Sequence, residues 1–363
     1  MFSPSLQEKI NTLKAYGSPL QIGAVTFANP LILAPMSAIS KAPFRLLMED
    51  LGAGGTVSEL ISAAGTFYQN QQTTDMFAID SREKNVGLQI FGDVTEQLVY
   101  GAIKAQEAGA KFVDLNMGCP VKKVVCKGAG SAMLKEPHLL APVFKEIKRA
   151  LSIPFTIKIR TGWQTPNAHE VIHVAKEEGI EFVSLHGRTR EQQYRGLADW
   201  DYIETLAQES PLPLIGNGDL HSPQMTSQRW AKTSCSALML GRGPLRNPFI
   251  FLETLQEYAL QRGLISPQQK ISFWPEDIWE VLFTFYEYLQ LHESNSRKHL
   301  VQFRKMALWF SAGLPHSVKY RTQIFAEESV EGLLKQSEDY FQSLGKTKKD
   351  IDPHEPFMNG GHG

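Results

Sequence analysis

Cysteine is scarce in this sequence: 363 residues contain three, Cys119, Cys126 and Cys235, and no Cys-x-x-Cys pair. That excludes a disulfide-stapled scaffold and a cysteine-rich zinc site, and it fits a reducing cytoplasm. Neither sign of charge is in excess, with 37 Lys and Arg against 38 Asp and Glu and a formal net charge of -1. No global positive field therefore marks a polyanion-binding protein, and any such binding has to come from local patches. No uninterrupted apolar run approaches the ~20 residues of a membrane span, and the first residues lack the basic-then-apolar pattern of an export signal. A cytoplasmic protein away from the membrane is expected. The ten histidines show no metal spacing. His169 and His173 face the same way on a predicted helix, but no carboxylate or cysteine partner completes a zinc set, so no metal is expected. A Gly-x-Gly-x-x-Gly nucleotide turn is also missing after the first strand, where the chain reads Ala34-Pro35-Met36-Ser37.

What is present is a repeat. Short apolar, β-branched runs alternate with longer amphipathic stretches, the pattern of β-α units around a parallel sheet. Strands are expected at 31–34, 55–58, 86–91, 112–115, 155–159, 181–186, 213–216 and 237–240, close to eight units. Helix-like stretches such as 94–109, 137–151 and 167–179 lie between them. Polar and reactive residues fall at the C-terminal ends of many strands: Met36, Glu59, Gln89, Asn116, Cys119, Lys158, Arg160, His186, Asn217 and Arg242. Convergence on one rim favours a closed (β/α)8 TIM barrel over an open doubly wound sheet. The expected fold is thus α/β, with an N-terminal helix and hairpin over 1–30 closing the barrel bottom and the barrel itself over 31–262. A small α-helical domain follows at 263–345, carried by helices at 277–293, 297–311 and 330–344, and then a polar, Gly-rich, disordered tail at 346–363.

The run Asp114-Leu115-Asn116-Met117-Gly118-Cys119-Pro120 puts a thiol on a tight turn beyond the fourth strand. Such a thiol can be a nucleophile, a proton donor or a small hydrophobe. Cys235 reads as core and Cys126 as a loop residue. In Thr156-Ile157-Lys158-Ile159-Arg160, strand alternation turns Lys158 and Arg160 to the same side. A lysine inside a barrel meets an anion or loses its proton, which leaves a Schiff-base amine or a cation beside an electron-rich cofactor. Gly216-Asn217-Gly218-Asp219 and Gly241-Arg242-Gly243 end the last two units, where barrels build phosphate sites from backbone N–H groups and an arginine fork. His186-Gly187-Arg188-Thr189-Arg190 ends the sixth strand, with a histidine at a rim beside two arginines.

Taken in order, these runs, together with Leu88-Gln89-Ile90-Phe91-Gly92 and Lys158-Ile159-Arg160-Thr161-Gly162, resemble the tRNA-dihydrouridine synthase family, in particular its bacterial DusB-like branch. The resemblance implies FMN in the barrel, NADPH as the reductant, and tRNA gripped with the help of the helical domain. By position, Pro35, Met36 and Ser37 would line the flavin, Gln89 would hydrogen-bond its ring, and Lys158 would be the cation at its anionic edge. Asn217, Gly218, Asp219, Gly241 and Arg242 would take the phosphate. Cys119 matches the family's proton donor, which turns the thiol from a candidate nucleophile into a general acid. Asn116, Arg160, His186 and Arg188 are expected near the substrate, and the target base would be flipped out to reach the rim. On the helix near 297–311, Arg297, Lys298, Arg304 and Lys305 lie away from the apolar face of Leu300, Phe303, Ala307 and Phe310, an expected tRNA phosphate surface. A monomer is expected. Two departures stand out: Ala38 where many relatives carry glycine, and Cys235-Ser236-Ala237 before the eighth strand. A barrel acting on a free pyrimidine, as dihydroorotate dehydrogenases do, would not need the basic helix, and an RNA-binding protein without turnover would not need Cys119 and Lys158.

Overall fold

The computed structural model describes residues 2–352, 355 and 357. Its first element is helix α1 (Pro4–Lys14), started by the Ser3 side chain accepting from the Leu6 N–H. An antiparallel hairpin of β1 (Leu20–Ile22) and β2 (Val25–Phe27) follows. The barrel strands are β3 (Leu31–Leu33), β4 (Gly55–Val57), β6 (Val86–Phe91), β7 (Phe112–Met117), β8 (Phe155–Arg160), β9 (Val183–His186), β10 (Leu214–Asn217) and β11 (Ala237–Leu240). All pair in parallel, and β11 pairs back onto β3, so among the described residues eight strands close into a barrel. A two-residue strand, β5 (Ile61–Ser62), adds to the end of β6 and lay below what the repeat predicted.

Burial on both faces explains the near-continuous apolar strands, such as Leu31-Ile32-Leu33. The outer helices are α2 (Ala42–Asp50), α3 (Thr95–Glu107), α4 (Leu140–Ala150), α5 (Ala168–Glu177), α6 (Trp200–Glu209), α7 (Pro223–Trp230) and α8 (Ile250–Gln261). In α4, Leu140, Phe144 and Ile147 recur at helical spacing and are buried, while Lys145, Lys148 and Arg149 take the outer face.

The hairpin packs into the N-terminal mouth of the barrel. Phe27 meets Phe112 and Phe182 edge to face at 6.0 Å each, inside a cluster that also holds Ile22, Val25, Ile32 and Ile215. The opposite mouth is thereby left as the open end.

The C-terminal region is helical: α9 (Pro275–His292), α10 (Ser296–Phe310), α11 (Ser317–Ala326) and α12 (Val330–Ser343). One apolar cluster runs through both this region and the barrel wall, with Phe285 edge-on to Phe44 at 6.5 Å. Polar ties reinforce the seam: Tyr288 donates to Asp50 at 2.6 Å, and Lys9 pairs with Asp277 at 2.8 Å. Residues 344–352, 355 and 357 hold no helix or strand, yet they are tied down. Lys349 Nζ donates to the Arg246 carbonyl at 2.6 Å, Asp350 N–H donates to the Gly313 carbonyl at 2.8 Å, and Arg242 donates to the Phe357 carbonyl at 2.9 Å. The rest of the tail expected to be disordered lies outside the described residues. No helix among the described residues is long and apolar enough to cross a membrane.

Candidate active site

A cavity of about 220 Å³ opens at the C-terminal end of the strands. Its walls carry Pro35, Met36, Ser37, Gln89, Asn116, Cys119, Lys158, Arg160, His186, Asn217, Gly218, Asp219, Gly241 and Arg242. The strand register explains the convergence. Gln89, Asp114 and Thr156 are neighbours across β6, β7 and β8, and Arg160, His186 and Asn217 are neighbours across β8, β9 and β10.

The Cys119 end is built from amides and main-chain contacts. Buried Asp114 accepts from Thr156 Oγ1 at 2.7 Å and from Gln89 Nε2 at 2.6 Å. Gln89 Oε1 in turn accepts from Asn116 Nδ2 at 2.9 Å. Asn116 Oδ1 is thereby aimed at the turn, where it accepts from the Cys119 N–H at 3.0 Å and the Gly118 N–H at 3.3 Å. A carboxylate can only accept, so it fixes which way both amides face.

Further clamps hold the same turn. Arg160 Nε donates to the Gly118 carbonyl at 2.7 Å, and Ser131 Oγ donates to the Cys119 carbonyl at 2.8 Å. Gly130 lies at φ +60, and a Cβ there would sit 2.9 Å from the Cys119 carbonyl oxygen. Burial raises the Cys119 thiol above its ordinary value, while the Val121 N–H and the Arg160 charge pull the other way. The thiol is therefore protonated at neutral pH, and a thiolate left behind would meet a donor and a cation. Burial pushes Asp114 up to about 6 against the hydrogen bonds from Gln89 and Thr156.

The opposite end is built from ion pairs. Asp219 accepts from Arg188 through both oxygens, at 2.9 and 2.7 Å, from the Ala198 N–H at 2.7 Å and from Arg242 at 3.3 Å. Burial opposes its charge, but hydrogen bonds from His221 and Arg188 hold its carboxyl well below the usual range. Gly218, at φ +135, brings the backbone so close to Ala198 that a Cβ would meet it at 2.5 Å.

Between the ends, Lys158 Nζ donates to Asn217 Oδ1 at 3.0 Å, and Asn217 Nδ2 donates to the Met239 carbonyl at 2.7 Å. Burial, then the Arg160 charge, lowers Lys158 to about 8. His186 is driven well below its usual value by burial and by Arg160 and Lys158, so it is a neutral imidazole. Among the described residues, no group of three His, Cys, Asp or Glu could hold a metal ion.

Several expected roles shift. Arg188 is buried and does not line the cavity; Asp219, the Arg195 and Gly196 carbonyls and His186 surround its guanidinium. It positions Asp219 rather than facing a substrate. Arg160 lines the cavity, but it also holds the Gly118, Thr189 and Gln193 carbonyls. Arg297, Lys298, Arg304 and Lys305 all sit on α10, away from the cavity walls. Lys298 pairs with Glu293 at 2.8 Å, Arg304 donates to the Glu327 carbonyl, and Lys305 lies 5.0 Å from the Trp309 ring centre. Three contributors carried no predicted role: Asp114, Ser131, and Tyr194, whose ring lies 5.6 Å from the Arg160 guanidinium and 5.3 Å from that of Arg242. Only Asp114 had a signal, its place two residues before Asn116 on the same strand face.

The family model for dihydrouridine synthase (Dus) matches residues 32–345. The chain belongs to the dihydrouridine synthase family. It is 34% identical over 330 residues to tRNA-dihydrouridine synthase B of Xanthomonas campestris pv. campestris, covering 90% of this chain and 96% of that one. The protein of the same description from Pseudomonas aeruginosa is 34% identical over 310 residues, covering 84% and 91%. Among solved structures, histamine dehydrogenase from Rhizobium sp. 4-9 aligns with a TM-score of 0.51 at 14% identity, covering 76% of this chain and 51% of that one. An amine oxidase acting on 6-hydroxypseudooxynicotine, from Pseudomonas geniculata N1, gives 0.50 at 12%, covering 70% and 51%. The chain spans about half of each of these two structures, and at such identity they speak for the barrel alone.

Proposed function

We propose that this protein is an FMN-dependent tRNA-dihydrouridine synthase that reduces the C5–C6 double bond of a uridine in tRNA, with NADPH as the source of electrons. The observation that carries the reading is a protonated, clamped Cys119 thiol facing a cavity whose other end is a glycine-rich, arginine-bearing turn. The walls fit the cofactor. A Cβ added at Gly241 would find only Ala34 Cβ, at 3.8 Å, so the glycine leaves room for a bound group. Arg242 with the backbone of Asn217, Gly218 and Gly241 would hold the phosphate. The Asp219 carboxylate repels phosphate, so its part is to aim Arg242, with Arg188 bracing it from behind. Gln89 keeps a second amide hydrogen for the ring, and Lys158 is the cation available to the ring's electron-rich edge.

Bound FMN, once reduced, would supply the hydride that goes to one carbon of the uracil double bond. Cys119 delivers the proton to the neighbouring carbon, and the raised thiol pKa keeps that proton available near neutral pH. Val121 N–H and Arg160 then receive the thiolate. Asn116 and Arg160 hold the turn so that the sulfur does not swing away. His186, being neutral, can accept or donate a hydrogen bond to a uracil carbonyl or imide without adding charge. Reaching this depth requires the uridine to leave its stack. Among the α10 cations, Arg297 and Lys305 are the ones left to grip tRNA phosphates.

The test is direct. The purified protein shows a flavin spectrum and converts uridine in unmodified tRNA to dihydrouridine only when NADPH is supplied. A protein that binds no flavin after reconstitution would overturn the proposal.

A further inference from the structure

A second cleft, of about 670 Å³, adjoins the first and shares Pro120, Val121 and Tyr194 with it. Its wall carries three cations, Lys122, Lys135 and Arg190, and no carboxylate. None of the three has an ion-pair partner among the described residues. Lys135 Nζ and the Arg190 guanidinium lie 4.3 and 4.4 Å from the ring centre of Trp163, and the buried Nε of Arg190 has no hydrogen-bond partner. Cations held against an aromatic ring keep their charge and their N–H groups for an incoming anion.

The platform is preformed. The Arg190 N–H donates to the Gly162 carbonyl at 2.9 Å and the Glu191 N–H to the Trp163 carbonyl at 3.1 Å, which ties the loop after β9 to the loop after β8. Glu191, next to Arg190 in sequence, accepts from Gln164 Nε2 at 3.3 Å instead. The loop after β9 and the turn carrying Lys135 are both tied to the reactive thiol's turn. Arg160 bridges the Gly118 and Gln193 carbonyls, and the 3-10 turn that ends at Lys135 carries Ser131, which grips the Cys119 carbonyl.

We propose that this cleft is a phosphate-binding subsite for the RNA strand on one side of the reactive uridine, a proposal that rests on the tRNA reading above. Three unpaired cations beside the base pocket suit a phosphodiester chain, and exposed Lys122 and Lys135 extend the grip toward the surface. The phosphates of a nicotinamide dinucleotide share this chemistry, and the experiment separates the two sources.

Wild type and a Lys122→Gln, Lys135→Gln, Arg190→Gln variant, both flavin-loaded, are compared for binding of unmodified tRNA across a salt series and for flavin reduction by NADPH without tRNA. The subsite predicts a tRNA Kd at least about tenfold weaker and a log-log salt slope smaller by about 2, since each phosphate contact contributes ~0.7–0.9. Unchanged affinity and slope overturn it. Slower flavin reduction with tRNA binding intact also overturns it, by assigning the cations to the dinucleotide. If the triple variant fails to hold flavin, the exposed pair Lys122→Gln, Lys135→Gln is read instead, with a slope change of about 1.5 expected and none overturning the proposal. A wild type that neither binds nor reduces tRNA refutes the functional reading, whereas a fully active wild type matched by its variant refutes the subsite alone.

Discussion

The two ends of the cavity are made of different materials. At the Cys119 end a single buried carboxylate, Asp114, orients a chain of two amides that ends on the Cys119 and Gly118 N–H groups. At the β10–β11 end, charge meets charge, with Asp219 between Arg188 and Arg242. An amide chain fixes direction without adding a field, which suits a thiol that has to stay protonated. A carboxylate braced from behind by Arg188 fixes the Arg242 guanidinium at the cavity wall, which suits an anion. Position is controlled at one end and charge at the other.

The largest effect expected from breaking this division comes from Asp219→Asn. It leaves Arg188, whose side chain is 3% exposed, without its counter-charge, so stability should fall by roughly 3 kcal/mol and flavin should be lost on dialysis. Denaturant melts and flavin absorbance read both. The wild-type carboxyl is held below the usual range, so its stabilising contribution is complete above the unfolded pKa. That contribution disappears only as pH falls through the lowered folded value.

Asp114→Asn attacks the other end. An asparagine offers one acceptor where the carboxylate offers two, so Gln89 and then Asn116 face reversal. Uridine reduction should slow about tenfold, more than flavin affinity changes. This variant also has a pH signature. The raised Asp114 pKa, about 6, makes the wild-type fold lose up to roughly 3 kcal/mol as pH rises from about 4 to 6. The variant should lack that slope in urea melts, and a retained slope would remove Asp114 from the account.

Lys158 lies where the two ends meet and gives a smaller, graded effect. Its depressed pKa means that the cation is lost as pH rises through about 8. Flavin affinity should weaken by a few-fold above that pH, whereas the fold itself gains stability between about 8 and the unfolded lysine value. In Lys158→Met the flavin Kd should be weak and flat with pH. The smallest change expected is at Ala38, which sits at φ 57 and donates its N–H to Glu59 at 2.7 Å. Ala38→Gly relieves a left-handed strain of about 1 kcal/mol, less the added chain entropy, and should raise the melting temperature by a degree or two without touching either end.

The rim was legible because strand ends in a β-α repeat announce themselves. Gln89, Asn116, Lys158 and Asn217 reach the cavity by alternation and register alone. What was not legible depends on distant partners. Arg188 follows His186 by two residues, yet the chain has left the strand there and its guanidinium turns to Asp219, 31 residues on. Lys298 and Arg304 looked like a free basic stripe, but their partners, Glu293 and the Glu327 carbonyl, come from outside the helix. Helix α11 was missed because only Tyr320 and Ile324 in it are buried, too weak a stripe to read. The unpaired cations of the second cleft come from two connections, Lys122 and Lys135 after β7 and Arg190 after β9, while Trp163 follows β8, and no sequence spacing joins them.

The measurement that tests the central claim most directly separates the half-reactions in Cys119→Ala. Flavin content and the rate of flavin reduction by NADPH should match wild type, while reoxidation of the reduced enzyme by unmodified tRNA should slow by at least about 100-fold. Reoxidation by tRNA at the wild-type rate, or an equal loss in both half-reactions, would contradict the assignment of Cys119 as the proton donor.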